Sequence, residues 1–132
     1  MNLTPTKHLQ PLDILNRICD AAVERDEIST MDAVQLFWRK QWIIEEVPDP
    51  QEKDPLRYAI MASFLERMAE VWSDPPKNMP SKPPQWCAKV PPTEEFFSLL
   101  PERYRSILEK YPPAEAFRKR NIFALENYVF FV

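Results

Sequence analysis

The chain has no glycine, but 15 of its 132 residues are proline. Phosphate-binding loops of the Walker and dinucleotide types need glycine where the backbone approaches the phosphates, so both types are excluded. Tight two-residue hairpins favour Asn-Gly or Asp-Gly, and the lack of both disfavours an all-β fold. Helices must therefore end at proline or asparagine rather than at a glycine. These constraints predict an all-α fold whose helices are separated by proline.

Residues 54–73 form a segment that is apolar over most of its circumference when it is wound as a helix. Asp54 is a suitable N-cap, and Pro55 suits the first helical position, where no backbone N–H is needed. A helix of this kind must be covered on more than one side, so we expect the rest of the chain to pack around it. Ser63, Glu66, Arg67 and Glu70 share one narrow polar stripe, and Arg57 is the only charge on the broad apolar side.

Four further helices are predicted from apolar spacing and capping residues. They cover residues 12–25, residues 31–45 after an N-cap at Ser29 or Thr30, residues 93–100 with Thr93 as N-cap, and residues 102–110. At the end of the second, residues 42–44 could instead form a short strand. Residues 114–120 could add one more turn, and residues 121–132 suit helix and extended structure about equally.

The predicted fold is thus about five helices around residues 54–73, in a single domain that spans residues 1–132. Residues 1–73 would form a three-helix core, and residues 93–132 would add short helices and an apolar end. Between them, residues 75–92 hold seven prolines and should be extended, because proline breaks helices and inner strands. Trp86 should anchor this crossing on the core. The alternative is that Pro80 and Pro83, in a P-x-x-P pattern, bind a proline-reading module.

The net charge, the cysteine count and the lack of visible targeting signals indicate in which compartment and with which class of partner the protein acts. The net charge of −3 argues against a general nucleic-acid binder, which needs a basic surface. Two cysteines, Cys19 and Cys87, are too few for a disulfide framework. Neither a secretory signal nor a membrane-spanning run is visible, so we expect a cytoplasmic protein without a membrane partner.

The residues that usually carry chemistry are scarce. The single histidine, His8, would have to serve any Ser-His-Asp or Cys-His site, and a zinc site needs about four paired ligands. Neighbouring carboxylates such as Glu45 and Glu46 point to different sides of a helix, which does not suit acid–base catalysis. We therefore predict a protein that is not an enzyme and binds neither cofactor nor metal.

The C-terminal end supplies the candidate contact residues. Basic side chains that alternate with aromatic ones can bind phosphates and stack on bases, so a nucleic-acid contact is the alternative to a protein partner. Apolar residues at a chain end must be buried, against this chain, a second copy in a homodimer, or another protein. We predict a non-catalytic interaction module, such as an adaptor, antitoxin-like inhibitor or accessory subunit. The predicted partner-binding residues are Arg118, Lys119, Arg120, Phe123, Tyr128, Phe130 and Phe131.

A motif in the last third of the chain reads P-x-W, then V-P, then F-R-x-R-N-I-F. It comprises residues 84–86, residues 90–91 and residues 117–123. In these positions the chain resembles the end of small bacterial proteins, of cyanobacterial type, to which we can assign no function. The resemblance implies a bacterial cytoplasmic protein that is encoded beside the gene of its partner, and it implies no site residues.

Overall fold

A computed structural model describes residues 9–74, 79–100, 110 and 113–124. Over these residues the chain is mainly helical, as the sequence predicts. The α-helices there are α1 (Pro11–Val23), α2 (Glu27–Arg39), α3 (Pro55–Val71) and α4 (Glu115–Arg118). Two 3-10 turns accompany them, Ile44–Glu46 and Gln85–Lys89.

Helix α3 begins where the sequence predicts. The carboxylate of Asp54 accepts hydrogen bonds from the backbone N–H groups of Leu56 and Arg57, at 2.9 and 3.4 Å. Ten of the 17 residues of α3 are buried, including Ser63 and Glu66 of the polar stripe. Helices α1 and α4 and both 3-10 turns contact α3. A buried polar stripe needs internal partners, and this requirement leads to the candidate site below.

Helix α2 begins earlier and ends earlier than the predicted range of residues 31–45. The N-cap is Asp26, whose carboxylate accepts the backbone N–H of Ser29 at 3.1 Å and its hydroxyl at 2.7 Å. The prediction of Ser29 or Thr30 as N-cap is therefore wrong, because a preceding carboxylate already occupies that role. The helix ends after Arg39, since Gln41 has a φ of 60°. Residues 42–43 are neither helix nor strand, and Ile44 starts the first 3-10 turn.

The proline-rich crossing lies against the helices, anchored by Trp86 as expected. The indole Nε1 donates a 2.9 Å hydrogen bond to the carbonyl oxygen of Val47, and the ring stacks on Tyr58 with 5.6 Å between centroids. Pro84 has φ −58° and ψ 145°, which is polyproline II geometry. The next six residues contain no proline, so the 3-10 turn Gln85–Lys89 fits there. Upstream, β1 (Ser73–Asp74) pairs antiparallel with β2 (Met79–Pro80).

The helix predicted for residues 93–100 is wrong. This segment is extended, and its strand β3 (Phe97–Ser98) pairs in parallel with β4 (Ile122–Phe123). The backbone N–H of Phe97 donates to the carbonyl oxygen of Asn121 at 3.1 Å, and that of Leu99 to the carbonyl of Phe123 at 2.9 Å. The predicted turn at residues 114–120 is confirmed by α4. The helix predicted for residues 102–110, apart from Lys110, and residues 125–132 lie outside the described residues.

Four residues with side chains occupy the left-handed region that glycine would favour. Their φ values are 57° for Arg25, 60° for Gln41, 50° for Gln51 and 66° for Asn121. A residue with a Cβ atom loses about 1–2 kcal/mol in this conformation. The lack of glycine therefore has an energetic cost after α1, α2 and α4 and in the loop before α3.

We predict that Gln41→Gly stabilises the protein. Glycine removes the left-handed strain at φ 60°, while its greater freedom in the unfolded chain offsets part of the gain. The expected net effect is an increase of up to about 1 kcal/mol in the free energy of unfolding, measured by urea titration. The matched control is Lys40→Gly, one residue earlier, where φ is −73°. This control should destabilise the protein by up to about 1 kcal/mol, and equal effects of the two substitutions would contradict the explanation.

Candidate functional site

The three basic residues predicted to form one contact cluster separate at the end of α4. Arg118 is the last residue of α4 and contacts Glu115, whereas Lys119 and Arg120 follow the helix and both contact the carboxylate of Glu66. Arg118 is 60% exposed and pairs with Glu115, which lies in the same turn. Lys119 is partly exposed, with its Nζ 2.8 Å from a carboxylate oxygen of Glu66. Arg120 is only 2% exposed. The three basic side chains therefore do not form one continuous exposed surface.

Arg120 crosses the interior and joins three separate parts of the chain. Its guanidinium donates to both carboxylate oxygens of Glu66 on α3, with the Nη2–Oε2 bond at 3.0 Å. It also donates to the carbonyl oxygens of Cys87 at 2.6 Å, Val90 at 3.3 Å and Ala116 at 3.3 Å. These contacts use all five N–H donors of a guanidinium. The hydrogen-bonding capacity of Arg120 is therefore fully used inside the protein, where it links α3, the proline-rich crossing and α4.

Glu66 remains charged in this environment. Burial by itself raises the pKa of its carboxyl, but hydrogen bonds and charge from Arg120 and Lys119 outweigh burial and hold that pKa below its ordinary value of 4.5. The carboxylate thus balances the positive charge that α4 brings into the interior. This pairing gives Glu66, one of the buried residues of the polar stripe on α3, its internal partners, whereas the buried hydroxyl oxygen of Ser63 has no hydrogen-bond partner within the described residues.

Two of the predicted partner-binding residues require correction. Arg120 and Phe123 are both 2% exposed, so neither lies on the surface of the described chain. A run of three basic residues predicts that all three side chains are exposed to solvent. Arg120 is instead buried, because it pairs with the buried carboxylate of Glu66. Arg118 and Lys119 remain exposed. The other predicted residues, Tyr128, Phe130 and Phe131, lie outside the described residues.

An apolar pocket of about 260 Å³ opens beside the exposed Arg118. Its rim includes Phe96, whose side chain is 55% exposed, and its floor is formed by the buried Ile122 and Phe123. The lining residues are Phe96, Pro113, Arg118, Asn121, Ile122 and Phe123. Phe96 was not among the predicted contact residues, because a helix over residues 93–100 would have buried it. The alternation of an exposed Phe96 with a half-buried Phe97 has the period of a strand, but it is visible only in the structure, because the sequence shows two adjacent phenylalanines.

A second concavity, of about 420 Å³, lies between the start of α1 and the loop that follows α2. It is lined by Gln10, Pro11, Leu12, Trp42, Ile43, Glu46, Val47 and Pro48. Glu46 is the single charged residue in this lining, so the described residues place no acid–base pair there. The combination of an exposed cation and an exposed aromatic ring is found at the pocket beside Arg118.

Both cysteines are buried in the described structure. Burial raises the pKa of the Cys19 and Cys87 thiols to about 12, so both stay protonated at neutral pH. Within the described ranges, no group of three or more His, Cys, Asp or Glu side chains is placed to hold a metal ion. Nor is any helix in those ranges both long enough and apolar enough to cross a membrane.

Comparison of the chain with family models, with curated proteins and with solved structures finds no match in any of the three. The resemblance of residues 84–123 to small bacterial proteins therefore stays a prediction. Any functional assignment must come from the geometry of the chain itself.

We predict that Arg120→Met strongly destabilises the protein, while Arg118→Met does not. Removing the Arg120 guanidinium takes one donor from three carbonyl oxygens and leaves the buried Glu66 carboxylate with Lys119 as its remaining cation, which should cost about 3–5 kcal/mol. The exposed pair of Arg118 and Glu115 contributes at most about 1 kcal/mol. Urea unfolding of both variants measures the contrast. Equal losses in the two variants would contradict the internal role of Arg120.

We also predict a pH dependence that Glu66 carries. Because its folded pKa is lowered from 4.5, the ion pair contributes fully above the unfolded pKa. That contribution is lost as the pH falls through the lower, folded pKa. Glu66→Gln removes this carboxyl, so its free energy of unfolding should be lower at neutral pH and should fall less steeply with acid. Urea unfolding at a series of pH values measures both slopes, and identical slopes would exclude Glu66 as the source.

Proposed function

We propose that this chain is a non-catalytic protein-interaction module whose described contact surface lies beside α4. The supporting observation is the exposed Phe96 ring next to the exposed Arg118, at the rim of a pocket floored by Ile122 and Phe123. In this proposal about five helices pack around residues 54–73, and the protein acts in the cytoplasm on a protein encoded by a neighbouring gene. Tyr128, Phe130 and Phe131, which lie outside the described residues, are proposed as further partner contacts.

The chemistry of the surface suggests what the partner offers. An apolar side chain would enter the pocket against Phe96, and a neighbouring carboxylate would bind the guanidinium of Arg118. Arg118 and its partner Glu115 are 60% and 63% exposed, and such pairs contribute only about 0–1 kcal/mol. A partner carboxylate can therefore replace Glu115 at little cost. The proposed ligand is a peptide segment with an aromatic or branched aliphatic residue beside Asp or Glu.

The proposal of a non-catalytic role rests on side-chain chemistry. Both thiols are buried with their pKa raised to about 12, so neither would act as a nucleophile at neutral pH. The single histidine, His8, lies outside the described residues. The pocket beside Arg118 has one charged lining residue and no carboxylate among its lining residues. Acid–base chemistry there would lack a base.

Nucleic-acid binding is the alternative function, and the charge distribution weighs against it. Of the three basic residues in the run, Arg120 is internal and Lys119 is paired with Glu66. Within this run, Arg118 is the residue whose guanidinium is mostly exposed. Phosphate binding normally uses several such cations, and the affinity then falls steeply with salt.

We predict that random linear peptides selected on the full-length protein are enriched in an aromatic or branched aliphatic residue next to Asp or Glu. Affinity for a selected peptide should fall roughly tenfold or more in Phe96→Ala and in Arg118→Glu, because each removes one half of the surface. Fluorescence anisotropy with a labelled peptide measures this. The matched control is Arg17→Glu, an exposed arginine on α1 that does not line the pocket. It should retain the wild-type affinity.

Two results would overturn the proposed function. The first is a selection without enrichment. The second is a selected peptide whose affinity is unchanged in both Phe96→Ala and Arg118→Glu. The same assay with labelled single- and double-stranded oligonucleotides tests the alternative. Salt-sensitive binding that is lost in an Arg118→Glu, Lys119→Glu double variant would favour nucleic acid over a peptide partner.

A further inference from the structure

Helix α2 presents an exposed apolar stripe on the side opposite the core. Its core side consists of Thr30, Ala33, Val34 and Phe37, which are all buried. On the other side Ile28 is 75% exposed and Trp38 is 42% exposed. Met31 and Gln35 lie between them and are half-buried, and Met31 also packs against the core. We call this set, Ile28, Met31, Gln35 and Trp38, the α2 stripe.

The spacing of the α2 stripe is that of a helix-pairing seam. Its steps along the chain are three, four and three residues, which is the alternation of the a and d positions in a heptad. The same steps are obtained when the stripe is read backwards. A palindromic stripe can match a second copy of itself that runs in the opposite direction. A two-fold contact requires such self-complementarity, since each patch meets the same patch on the other copy.

We propose that two copies of this chain pair through antiparallel α2 helices related by a two-fold axis. The axis passes near Ala33, so Ile28 of each copy faces Trp38 of the other. Met31 in the same way faces Gln35. The pairing would cover the two most exposed ends of the stripe with each other and leave the core side of α2 unchanged.

Charges beside the stripe select the antiparallel direction. Asp32 and Arg39 are exposed, lie seven residues apart and flank the stripe on the same side. In the antiparallel pair, Asp32 of each copy faces Arg39 of the other, which gives two opposite-charge contacts. A parallel pair would instead bring Glu27 of one helix towards Asp32 of the other, and like charges disfavour that arrangement. Within the described residues neither Asp32 nor Arg39 takes part in an ion pair.

The size of the contact sets the expected strength of the dimer. Helix α2 has 13 residues, so a contact through it alone falls in the class of small interfaces below about 1,200 Å². Such interfaces belong to weak, reversible complexes. The dimer is therefore concentration-dependent, and the pocket beside Arg118 is not part of the seam, so both contacts can form together.

The test is sedimentation velocity of the full chain over a series of protein concentrations, with helical CD as the check on folding. Wild type should shift from monomer to dimer as concentration rises. Ile28→Glu changes a residue that is 75% exposed, so it should keep the fold and raise the dimer dissociation constant at least tenfold. The matched control is Ile43→Glu, which changes an exposed apolar residue outside α2 and should dimerise like wild type.

Charge exchange tests the direction of the pair. Asp32→Arg and Arg39→Asp should each raise the dissociation constant, because each creates like-charge contacts across the axis. The double variant with both substitutions should restore dimerisation, since the opposite charges face each other again. Under mild oxidation, a mixture of the Met31→Cys and Gln35→Cys variants should cross-link as a heterodimer. A Met31→Cys homodimer as the main product would indicate a parallel pair and reject the proposal.

Three further results would contradict the antiparallel dimer. A chain that stays monomeric at every concentration, or a dimer that Ile28→Glu leaves unchanged, would overturn the proposal. So would a charge-exchanged double variant that stays as weak as the single variants. The peptide-binding assay is independent of this result, because Ile28→Glu leaves Phe96 and Arg118 in place.

Discussion

The contact between Arg120 and Glu66 holds together segments that are far apart in the chain. Glu66 belongs to α3, Arg120 follows α4, and the guanidinium also donates to carbonyl oxygens of the proline-rich crossing. Pro91 and Pro92 have no backbone N–H and so cannot donate to carbonyl oxygens of the crossing. The carbonyl oxygen of Cys87 accepts from the backbone N–H of Val90 as well as from Arg120. The indole N–H of Trp86 likewise donates a hydrogen bond to the carbonyl oxygen of Val47, the residue before Pro48.

At two of the four left-handed positions, Arg25 and Asn121, the side chain makes a contact that glycine could not make. Arg25 occupies the left-handed region after α1, and its guanidinium lies 4.6 Å from the centre of the Phe97 ring. Its Nε also donates to the carbonyl oxygen of Ser98 at 3.0 Å. A glycine there would be relaxed but would leave strand β3 without this connection to α1. Asn121 acts similarly, since its side-chain amide donates to the carbonyl of Thr93 at 3.3 Å.

Sequence reasoning succeeded where the decisive contacts are local and failed where they are not. The cap at Asp54, the helix after it and the anchoring Trp86 follow from short-range patterns and apolar composition. Residues 93–100 also contain a local helix signal at Thr93, but pairing with residues 121–123 satisfies their backbone instead. No local pattern reveals a partner strand more than twenty residues away. The basic run at residues 118–120 did not show that Arg120 is buried. The indirect signal was Glu66, an acidic residue within a mostly apolar helix, because a buried carboxylate needs a cation.

The buried ion pair also bears on the surface that we propose for binding. Because Arg120 is fixed at five hydrogen bonds, the turn before it and the strand after it have little freedom. That turn carries Arg118, and that strand provides the floor of the pocket beside Phe96. A surface whose backbone is already ordered loses less conformational entropy when a ligand binds. Arg120 therefore organises the interior, and Arg118, two residues earlier, is left in a defined position at the surface that we propose for binding.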